Sequence, residues 1–227
     1  MSKLIPLISI FKQNLSNILL HRSTKYLKED ESYVSEGDYL MDSICIDFLN
    51  NCFTSIQIIT EESYQGGLID IFASEYVAIV DPIDGTENFV SGLKEWGSGV
   101  CLYKNGVFEE ALIAIPELNE YLHSDDLILR NYDSRIHALS SSLNKEDFLN
   151  LPAGFEYRII GCCMYNMFNV ITGSFMQFEN PKGARSWDIL PGLNIALNKG
   201  LNVFVNNQIY NGEFLQSSEK YTFRITS

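Results

Sequence analysis

Residues 76–86 read YVAIVDPIDGT, an apolar run followed directly by two carboxylates and a hydroxyl within six positions. The apolar part, residues 76–80, predicts a buried strand. Hard cations such as Mg²⁺ prefer oxygen ligands, and a strand that ends in Asp81 and Asp84 presents two acids at one edge of a sheet. A turn or a helix cap is the other common use of Asp at such a position. Together with acidic segments elsewhere in the chain, these residues predict a metal site and phosphate chemistry.

Two other segments supply acids of the same kind. Glu61 and Glu62 follow a second apolar run, residues 56–59, and Glu61 precedes Asp81 by 20 positions. Near the other end of the chain, residues 183–192 read GARSWDILPG and place an aspartate after the tryptophan. In isolation, a Glu pair after a strand is usually a solvated loop. The order and spacing of all three segments favour a shared site.

The Glu-Glu pair, the Asp-Pro-Ile-Asp-Gly-Thr segment and the late Trp-Asp resemble, in this order, the signatures of the inositol monophosphatase family of Mg²⁺-dependent phosphatases. Collinear similarity extends over roughly residues 30–205, which is the size of one domain. The resemblance implies an α/β (α+β) layered sandwich, the sugar-phosphatase-like fold, with an antiparallel N-terminal sheet and a smaller α/β C-terminal half. It also implies an active site between the halves, two or three Mg²⁺ ions per site and a homodimer.

The resemblance assigns the metal ligands in two groups. Glu61, Asp81 and the backbone carbonyl of Ile83 hold one Mg²⁺. Asp81, Asp84 and Asp188 hold the second, which neutralises the leaving oxygen. Asp81 thereby bridges two cations about 3.5–4 Å apart, as in other two-metal phosphatases. An N-cap role for Asp188 at the start of a helix is compatible with metal binding.

Three residues are candidates for water activation and proton transfer. Glu61 is expected to orient the attacking water, with Glu62 as its competitor, and the Thr86 hydroxyl to relay the proton of that water. Asp38 lies 23 positions before Glu61, where the family has an acid of its mobile metal-site loop. Capping of a helix over residues 39–51 explains Asp38 equally well.

Candidate substrate contacts lie around the metal ligands and in the second half of the chain. Gly161 and Cys162 match a family glycine followed by small residues, and Glu179 is a candidate for binding substrate hydroxyls. Lys182 and Arg185 are candidates for a second anionic group, since Arg suits bidentate contact, although two solvated loop charges explain them as well. The predicted substrate-binding set is Asp84, Gly85, Thr86, Gly161, Cys162, Glu179, Arg185 and Asp188.

Composition excludes several classes of protein and partner. The chain has 227 residues, of which 46% are apolar, and this places it among globular proteins. A net charge of −13 argues against a nucleic-acid polymer or an anionic membrane as partner, because both would repel the surface. Five cysteines without a C-x-x-C pair indicate neither a disulfide framework nor a zinc site, and favour a cytoplasmic location. Residues 4–19 carry apolar side chains at helical spacing and predict a helix on the core rather than an export signal.

The hydrophobic pattern divides the chain into two kinds of structure. About residues 1–140 favour helices and mostly antiparallel strands, including a hairpin with an Asn-Gly turn. Residues 141–227 alternate strands and helices, and Gly173 and Gly200 stand where helices end. We expect one compact chain, 1–227, with a metal-binding α+β half and an α/β half that completes the active site. The predicted elements are helices at 4–20, 39–52, 164–171 and 189–198, a short helix from Thr86, and strands at 55–59, 76–80, 99–103, 107–115, 120–123, 127–130, 157–160, 175–178 and 201–205.

The resulting hypothesis is a Mg²⁺-dependent phosphomonoesterase that hydrolyses a small polyol or sugar phosphate, similar to inositol 1-phosphate, by in-line attack of a metal-activated water. Alternatives are a bisphosphatase acting on fructose 1,6-bisphosphate or a 3′-phosphoadenosine nucleotide, a histidinol phosphatase, and a non-catalytic regulatory member of the same fold. Three departures from the family pattern concern the substrate more than the metal: Thr60 replaces a glycine, Leu190-Pro191 replace small residues, and residues 123–155 are short. Pro191 is expected in the first turn of a helix, where it is tolerated.

Overall fold

The computed structural model describes residues 2–28, 32–128 and 133–226. Within these ranges the chain forms a five-stranded sheet, a six-stranded sheet, a two-stranded ribbon and several helices. The helices are α1 Ile5–Leu20, α2 Glu36–Cys52, α3 Thr86–Val90, α4 Lys145–Leu149, α5 Cys163–Thr172 and α6 Ser186–Asn198, with a 3-10 turn at Pro116–Leu118.

The strands form where apolar runs are bounded by turn residues. Tyr76–Asp84 is buried along its whole length, which explains its nearly continuous apolar sequence. In the described ranges the strands are β1 Lys25–Leu27, β2 Tyr33–Ser35, β3 Ile56–Thr60, β4 Tyr76–Asp84, β5 Gly97–Lys104, β6 Val107–Ile115, β7 Glu120–His123, β8 Ile136–Leu139, β9 Glu156–Ile159, β10 Gln177–Ala184, β11 Asn202–Val205, β12 Gln208–Ile209 and β13 Tyr221–Thr226.

The first sheet has the order β3-β4-β5-β6-β7. β3 and β4 are parallel, and the remaining neighbours pair antiparallel. Asn105 and Gly106 connect β5 to β6 with φ angles of 50° and 79°, and a two-residue hairpin turn needs this left-handed backbone at both positions. The predicted hairpin is confirmed.

The second sheet has the order β12-β11-β13-β10-β8-β9. β10 pairs parallel with β8, and β8 with β9, whereas the pairs β10–β13, β13–β11 and β11–β12 are antiparallel. Since β8 already begins at Ile136, the second sheet starts before residue 141, where the sequence places the subdomain boundary. The division between the sheets falls after His123 and before Ile136.

Helices and sheets alternate in layers. α2 packs on β3 and β4, and α1 packs beside α2. Leu7, Met41 and Val80 belong to the buried apolar cluster of this layer. α5 and α6 lie between the two sheets, because both contact β5 of the first sheet and β13 of the second. Their side chains, including Met164 and Ile195, fill the second buried cluster. The chain thus has the predicted α/β layered sandwich fold.

Several element boundaries differ from the sequence prediction. β4 continues to Asp84, so both aspartates belong to a strand whose register is irregular between Asp81 and Asp84. α2 begins three residues earlier than predicted because the side chain of Ser35 caps it. α6 begins at Ser186, which puts Pro191 in the second turn of the helix, so the prediction of a first-turn proline was wrong.

The sequence analysis also leaves some elements unassigned. Tyr221–Thr226 alternate buried and more exposed residues, a strand pattern that follows no obvious turn signal. Residues 127–128 are not in a strand, and residues 129–130 of the predicted strand 127–130 lie outside the described residues. Among the helices of the described ranges, none combines the length and the hydropathy needed to cross a bilayer.

Candidate metal and phosphate site

Parallel pairing of β3 and β4 brings Glu61 and Asp81 together. Thr60, the last residue of β3, is in register with Val80 of β4. The residue that follows each of them is an acid, Glu61 or Asp81. The backbone N–H of Glu61 donates to the carbonyl of Val80 at 3.1 Å, which extends the pairing by one residue. The 20 positions between the two acids in sequence therefore become side-by-side placement at one edge of the sheet.

Asp188 reaches the same place from α6. One carboxylate oxygen from each of Glu61, Asp81 and Asp188 lies within 4.8 Å of the other two. Asp188 is the third residue of α6, and its Oδ2 accepts from the backbone N–H of Arg185 at 2.6 Å. This hydrogen bond caps the helix and orients the carboxylate. Asp188 therefore caps α6 and also lies with the other two acids.

Asp81 is completely buried, and neither of its carboxylate oxygens has a hydrogen-bond partner among the described residues. Burial raises the pKa of Asp81 well above its usual 3.8, and the charges of Glu61 and Asp84 raise it further. A buried carboxylate without a partner is costly. A divalent cation removes this cost, because it supplies the opposite charge and binds carboxylate oxygens. The donor set around Asp81 fits Mg²⁺.

Asp84 lies outside this group of three converging acids, but it lines the same cleft and is held by the start of α5. Its Oδ2 accepts from the backbone N–H of Met164 and from the Cys162 thiol at 3.1 Å. Burial raises the pKa of Asp84 to about 6, although both hydrogen bonds act in the opposite direction. Burial also raises the pKa of the Cys162 and Cys163 thiols. Cys162 is therefore a protonated donor to Asp84 rather than a reactive thiolate.

Thr86 and Asp38 form a hydrogen-bonded pair beside the acids. The Thr86 hydroxyl lies 3.0 Å from Asp38 Oδ1 and 3.1 Å from the carbonyl oxygen of Ile83, and it can donate to either. Asp38 Oδ2 accepts from the backbone N–H of Ser35 at 2.8 Å, as part of the capping box of α2. Burial raises the pKa of Asp38, while the hydrogen bonds from Ser35 and Thr86 lower it. Asp38 thus caps a helix and contacts the predicted catalytic hydroxyl.

Lys28 is a member of the site that the sequence analysis does not select. Its Nζ lies 2.9 Å from an oxygen of Glu61 and 2.9 Å from an oxygen of Glu62. Burial lowers the pKa of Lys28, but the two carboxylates outweigh it and the net shift is upward. Burial and the charge of Glu61 raise the pKa of Glu62 to about 7, against the effect of Lys28. Lys28 is a counter-charge for the two glutamates, and no spacing in the sequence indicates this contact.

The acids open into a cleft of about 650 Å³ that is lined by residues of both sheets. Two stretches that the sequence analysis does not select line it as well, Ser140–Ser142 after β8 and Lys220 before β13. Both come from loops, where neither periodicity nor a motif marks a contact. Of the predicted substrate-binding residues, those that line the cleft are Asp84, Gly161, Cys162, Arg185 and Asp188.

Gly85 packs against the start of α5. Its φ angle is 81°, a left-handed conformation that glycine adopts without steric cost. A Cβ at this position would lie 2.9 Å from the Cβ of Cys162 and 3.3 Å from the carbonyl oxygen of Gly161. Close packing between the end of β4 and the start of α5 therefore requires glycine here. The phosphate contact expected of Gly85 stays a prediction.

Glu179 does not face the cleft. Successive residues of a strand point to opposite faces of the sheet, and on β10 it is Phe178 and Asn180 that line the cleft. Glu179 lies 3.6 Å from His137 Nε2 and accepts from the side chain of Gln177 at 3.2 Å. The lining of this cleft therefore gives no support to the prediction that Glu179 binds substrate hydroxyls, which stays a prediction.

Lys182 lies outside the cleft, and Asn166 is a lining residue that the sequence analysis does not select. Lys182 pairs with Asp147 at 2.8 Å and does not line the cleft. Asn166 of α5 does line it, is only 1% exposed, and its Oδ1 has no hydrogen-bond partner in the described part of the chain. An asparagine within a helix carries no sequence signal for such a position. Asn166 is thus a buried polar residue in the wall of the cleft, and its Oδ1 is shielded from solvent.

Known proteins are similar to this chain in sequence or in fold. The model of the inositol monophosphatase family matches residues 5–127. A protein of Neisseria meningitidis serogroup A, named as a candidate Nus factor SuhB, is 34% identical over 166 residues, which cover 71% of this chain and 61% of the relative. A Thermotoga maritima protein named fructose-1,6-bisphosphatase/inositol-1-monophosphatase is 30% identical over 183 residues, covering 74% of this chain and 69% of the relative.

Among solved structures, an IMPase/NADP phosphatase in complex with NADP and Ca²⁺ has a similar fold, with a TM-score of 0.81 at 18% identity. The similarity covers 99% of this chain and 88% of that structure. The chain spans 61% of the first relative's length and 69% of the second's. The family model covers more than half of the residues, and it includes both Glu61 and the residues of β4. The chain belongs to the inositol monophosphatase family.

Proposed function

We propose that the protein is a Mg²⁺-dependent phosphomonoesterase that hydrolyses a small polyol or sugar phosphate. One observation carries the proposal: Glu61, Asp81 and Asp188 converge, and Asp81 is buried with both carboxylate oxygens unpaired in the described residues. A structural cap or a solvated acid does not need this arrangement, whereas a divalent cation does. Family members are typically metal-dependent phosphatases, which supports the same conclusion.

By the family resemblance, the residues present would form two metal-binding groups. Glu61, Asp81 and the Ile83 carbonyl would hold one Mg²⁺, and Asp81, Asp84 and Asp188 would hold the second. Bound Mg²⁺ would supply Lewis-acid stabilisation of phosphate charge and would lower the pKa of a coordinated water. Cys162 and the start of α5 fix the Asp84 carboxylate, so its position does not depend on the ligand.

The hydrogen bond between Thr86 and Asp38 supports a role of this pair in taking the proton of the attacking water. When the Thr86 hydroxyl donates to Asp38 Oδ1, its lone pairs remain to accept a hydrogen bond from that water. Thr86 Oγ1 then gains the water proton while its own proton moves to Asp38 Oδ1. Burial raises the pKa of Asp38, which makes this carboxylate a better acceptor. Glu61 would orient the water.

Hydroxyl recognition is supported by Asn166. Its side chain lines the cleft together with Ser140 and Ser141, and polar groups of this kind exchange hydrogen bonds with substrate hydroxyls. A polyol or sugar carries several such hydroxyls. A homodimer remains a prediction of the family resemblance, and the molar mass in solution tests it.

Phosphate release tests the proposal. The panel is inositol, sugar, histidinol and nucleotide phosphates, each with and without Mg²⁺, and we expect turnover of at least one ester that requires the metal. Asp84→Asn should abolish this turnover, and Asp47→Asn, an exposed position of α2, is the matched control that should not. Turnover that does not need a divalent metal, or full activity of Asp84→Asn, would refute the mechanism.

A regulatory role is the second candidate, because one relative is named as a candidate Nus factor. Such a role runs against the expectation that a chain with a net charge of −13 has no nucleic-acid partner. Calorimetry separates the candidates when it is combined with the panel. Absence of hydrolysis for every ester, together with absence of Mg²⁺ binding, would favour regulation over catalysis.

A further inference from the structure

Two basic side chains of the cleft form no ion pair with any residue that the structure describes. These are Arg185 and Lys220. Lys28, which also lines the cleft, is bound by Glu61 and Glu62. In a chain with a net charge of −13, acids to pair with are abundant. Within the described ranges, Arg185 and Lys220 thus offer two positive charges at the cleft to an anion from outside the chain.

Strand pairing brings the chain segments of these two cations together. β10 and β13 are antiparallel, and their last pair is Ala184 with Tyr221. Arg185 directly follows β10 and Lys220 directly precedes β13, so the two residues flank this pair. Like charges on neighbouring segments repel each other. A bound anion offsets that repulsion, because it attracts both cations.

An irregularity in β10 sets up this arrangement. The register jumps between Asn180 and Ala184, so residues 181–183 bulge from the strand just before Arg185. Asn180 Oδ1 holds the bulge by accepting from the backbone N–H groups of Lys182 at 3.1 Å and Gly183 at 3.0 Å. Bulges of this kind re-aim the side chains that follow them.

The guanidinium of Arg185 is fixed before any ligand binds. Its Nη1 donates to the backbone carbonyl of Ser217 at 3.1 Å, and Ser217 is fully buried. An arginine that is anchored at one nitrogen keeps its other donors for a ligand and loses little side-chain entropy on binding. Lys220 packs beside the bulge, where its Cβ is 3.2 Å from the point that a Cβ on Gly183 would occupy.

We propose that Arg185 and Lys220 form a subsite for a second anionic group, so that the preferred substrates are small phosphate esters that carry another phosphate or a carboxylate. The inference rests on the proposed function, because it assigns the first phosphate to the metal-binding acids. A cleft of about 650 Å³ has room for a sugar-sized molecule whose phosphate meets the metal-binding acids and whose second anion meets the two cations. The hydroxyls of Ser140–Ser142 line the same cleft and add donors to the subsite.

Matched pairs of substrates test the subsite. Adenosine 3′,5′-bisphosphate is compared with adenosine 3′-phosphate, fructose 1,6-bisphosphate with fructose 1-phosphate, and 2-phosphoglycerate with glycerol 2-phosphate, all with Mg²⁺. The first two pairs report on phosphate and the third on carboxylate as the second anion. We expect kcat/KM for at least one ester with a second anionic group to exceed that of its partner by about tenfold or more. A ratio of about tenfold is the value of one charge-assisted hydrogen bond.

Variants of the two cations make the test specific. Arg185→Ala and Lys220→Ala should each lower the preference ratio by about tenfold, and Arg185→Lys should restore part of it. Lys182→Ala is the matched control, because Lys182 is close in sequence but pairs with Asp147 outside the cleft. Absence of any preference in the wild type, or an unchanged ratio in the Arg185→Ala/Lys220→Ala double variant, would overturn the subsite.

A binding measurement separates this inference from the proposed function. Calorimetry with Ca²⁺ and the same three pairs reports affinity without turnover. If no ester is hydrolysed, the proposed function fails. The subsite still stands if an ester with a second anionic group binds about tenfold more tightly than its partner and the double variant loses the difference. Equal affinities within every pair would overturn the subsite even when hydrolysis is observed. Thermal unfolding of each variant verifies that it is folded.

Discussion

The hydroxyl of Thr86 lies 3.0 Å from Asp38 Oδ1, although the two residues are 48 positions apart in the chain. The contact joins the first residue of α3 to the first turn of α2, on the side of the acids. Because Ser35 donates to the other oxygen of Asp38, the carboxylate that contacts Thr86 is held in place by the helix cap. Helix capping and the geometry of the candidate proton relay therefore depend on the same carboxylate.

Thr86→Val removes the hydroxyl but keeps the shape of the side chain. Because the relay is lost, we expect kcat for Mg²⁺-dependent phosphate release to fall by about a hundredfold, within the usual range for loss of a general acid–base group. Thr86→Ser keeps the hydroxyl and is the matched control. A Thr86→Val variant with wild-type kcat would exclude the relay.

Asp38→Asn separates the two roles of this carboxylate. Its oxygen can still accept from the Ser35 backbone, so we expect the free energy of unfolding to drop by only about 1 kcal/mol, as for a weakened cap. In contrast, kcat should fall as strongly as in Thr86→Val. Thermal unfolding and phosphate release on the same preparation check both parts. A loss of stability without a loss of kcat would leave Asp38 as a helix cap alone.

Glu110 anchors the first residues of the chain and makes stability depend on acid pH. This buried carboxylate accepts from the Ser2 hydroxyl at 2.6 Å, the Lys3 backbone N–H at 2.9 Å and His123 Nε2 at 2.9 Å. The Asp125 backbone N–H donates to His123 Nδ1, so the ring proton is on Nε2. Burial raises the pKa of Glu110, but these hydrogen bonds outweigh it and lower the pKa to about 2.

A depressed carboxylate pKa stabilises the folded state above the usual pKa of 4.5, and this stability is lost as the pH falls toward 2. We therefore expect Glu110→Gln to lose on the order of 3 kcal/mol at neutral pH, and to approach the wild type near pH 2. Urea unfolding as a function of pH measures the difference. Glu109→Gln, at an exposed ion pair with Lys3, is the control and should change little. A difference between Glu110→Gln and the wild type that does not vary with pH would contradict this account.

Local sequence predicts the acids well because their placement depends on few elements. Glu61 and Asp81 follow directly on two neighbouring strands, so parallel pairing alone brings them together. Asp188 needs only the start of one helix in addition. The Asn-Gly turn between β5 and β6 is equally local, since both left-handed residues are visible in the sequence. These features are fixed by short-range geometry and by strand ends.

Residues whose orientation depends on distant packing are not predicted. The face to which Glu179 points depends on which residue starts β10 and on the pairing of that strand with β8 and β13, both remote in sequence. Lys28 meets Glu61 and Glu62 across more than 30 positions, from a polar segment without periodicity. Arg185 and Lys220 likewise flank the strand pair Ala184–Tyr221, and no sequence motif indicates this register. Long-range register, rather than local propensity, decides these contacts.

Asp81→Asn should stabilise the protein when no metal is bound. Asp81 is buried beside Glu61 and Asp84, so removing its charge relieves repulsion. We expect the metal-free Tm to rise by a few degrees, which corresponds to a gain in the free energy of unfolding on the order of 1–2 kcal/mol. The same change should remove the stabilisation by Mg²⁺, because Asp81 is a proposed ligand of the metal. Thermal unfolding with a chelator and with Mg²⁺ measures both, with Asp47→Asn as the control. A lower metal-free Tm, or an unchanged shift with Mg²⁺, would count against the metal site.

Gly85 and Gly92 allow backbone strain to be separated from packing at the site. Their φ angles are 81° and 84°, so alanine at either position is forced into the left-handed region at a similar cost of about 1 kcal/mol. A Cβ at Gly92 meets no atom within 4 Å, whereas a Cβ at Gly85 lies 2.9 Å from the Cβ of Cys162. Overpacking at Gly85 should push the start of α5 away, and with it the donors from Cys162 and Met164 to Asp84.

We therefore expect Gly85→Ala to lower the free energy of unfolding by about 1–3 kcal/mol more than Gly92→Ala does, the usual cost of overpacking a tight contact. Mg²⁺ affinity should also fall in Gly85→Ala, because Asp84 is a proposed ligand, and it should be unchanged in Gly92→Ala. Urea unfolding and Mg²⁺ calorimetry on both variants make the comparison. Equal destabilisation of the two variants would mean that backbone strain alone explains Gly85. Equal Mg²⁺ affinity would mean that the contact with α5 does not position Asp84 for the metal.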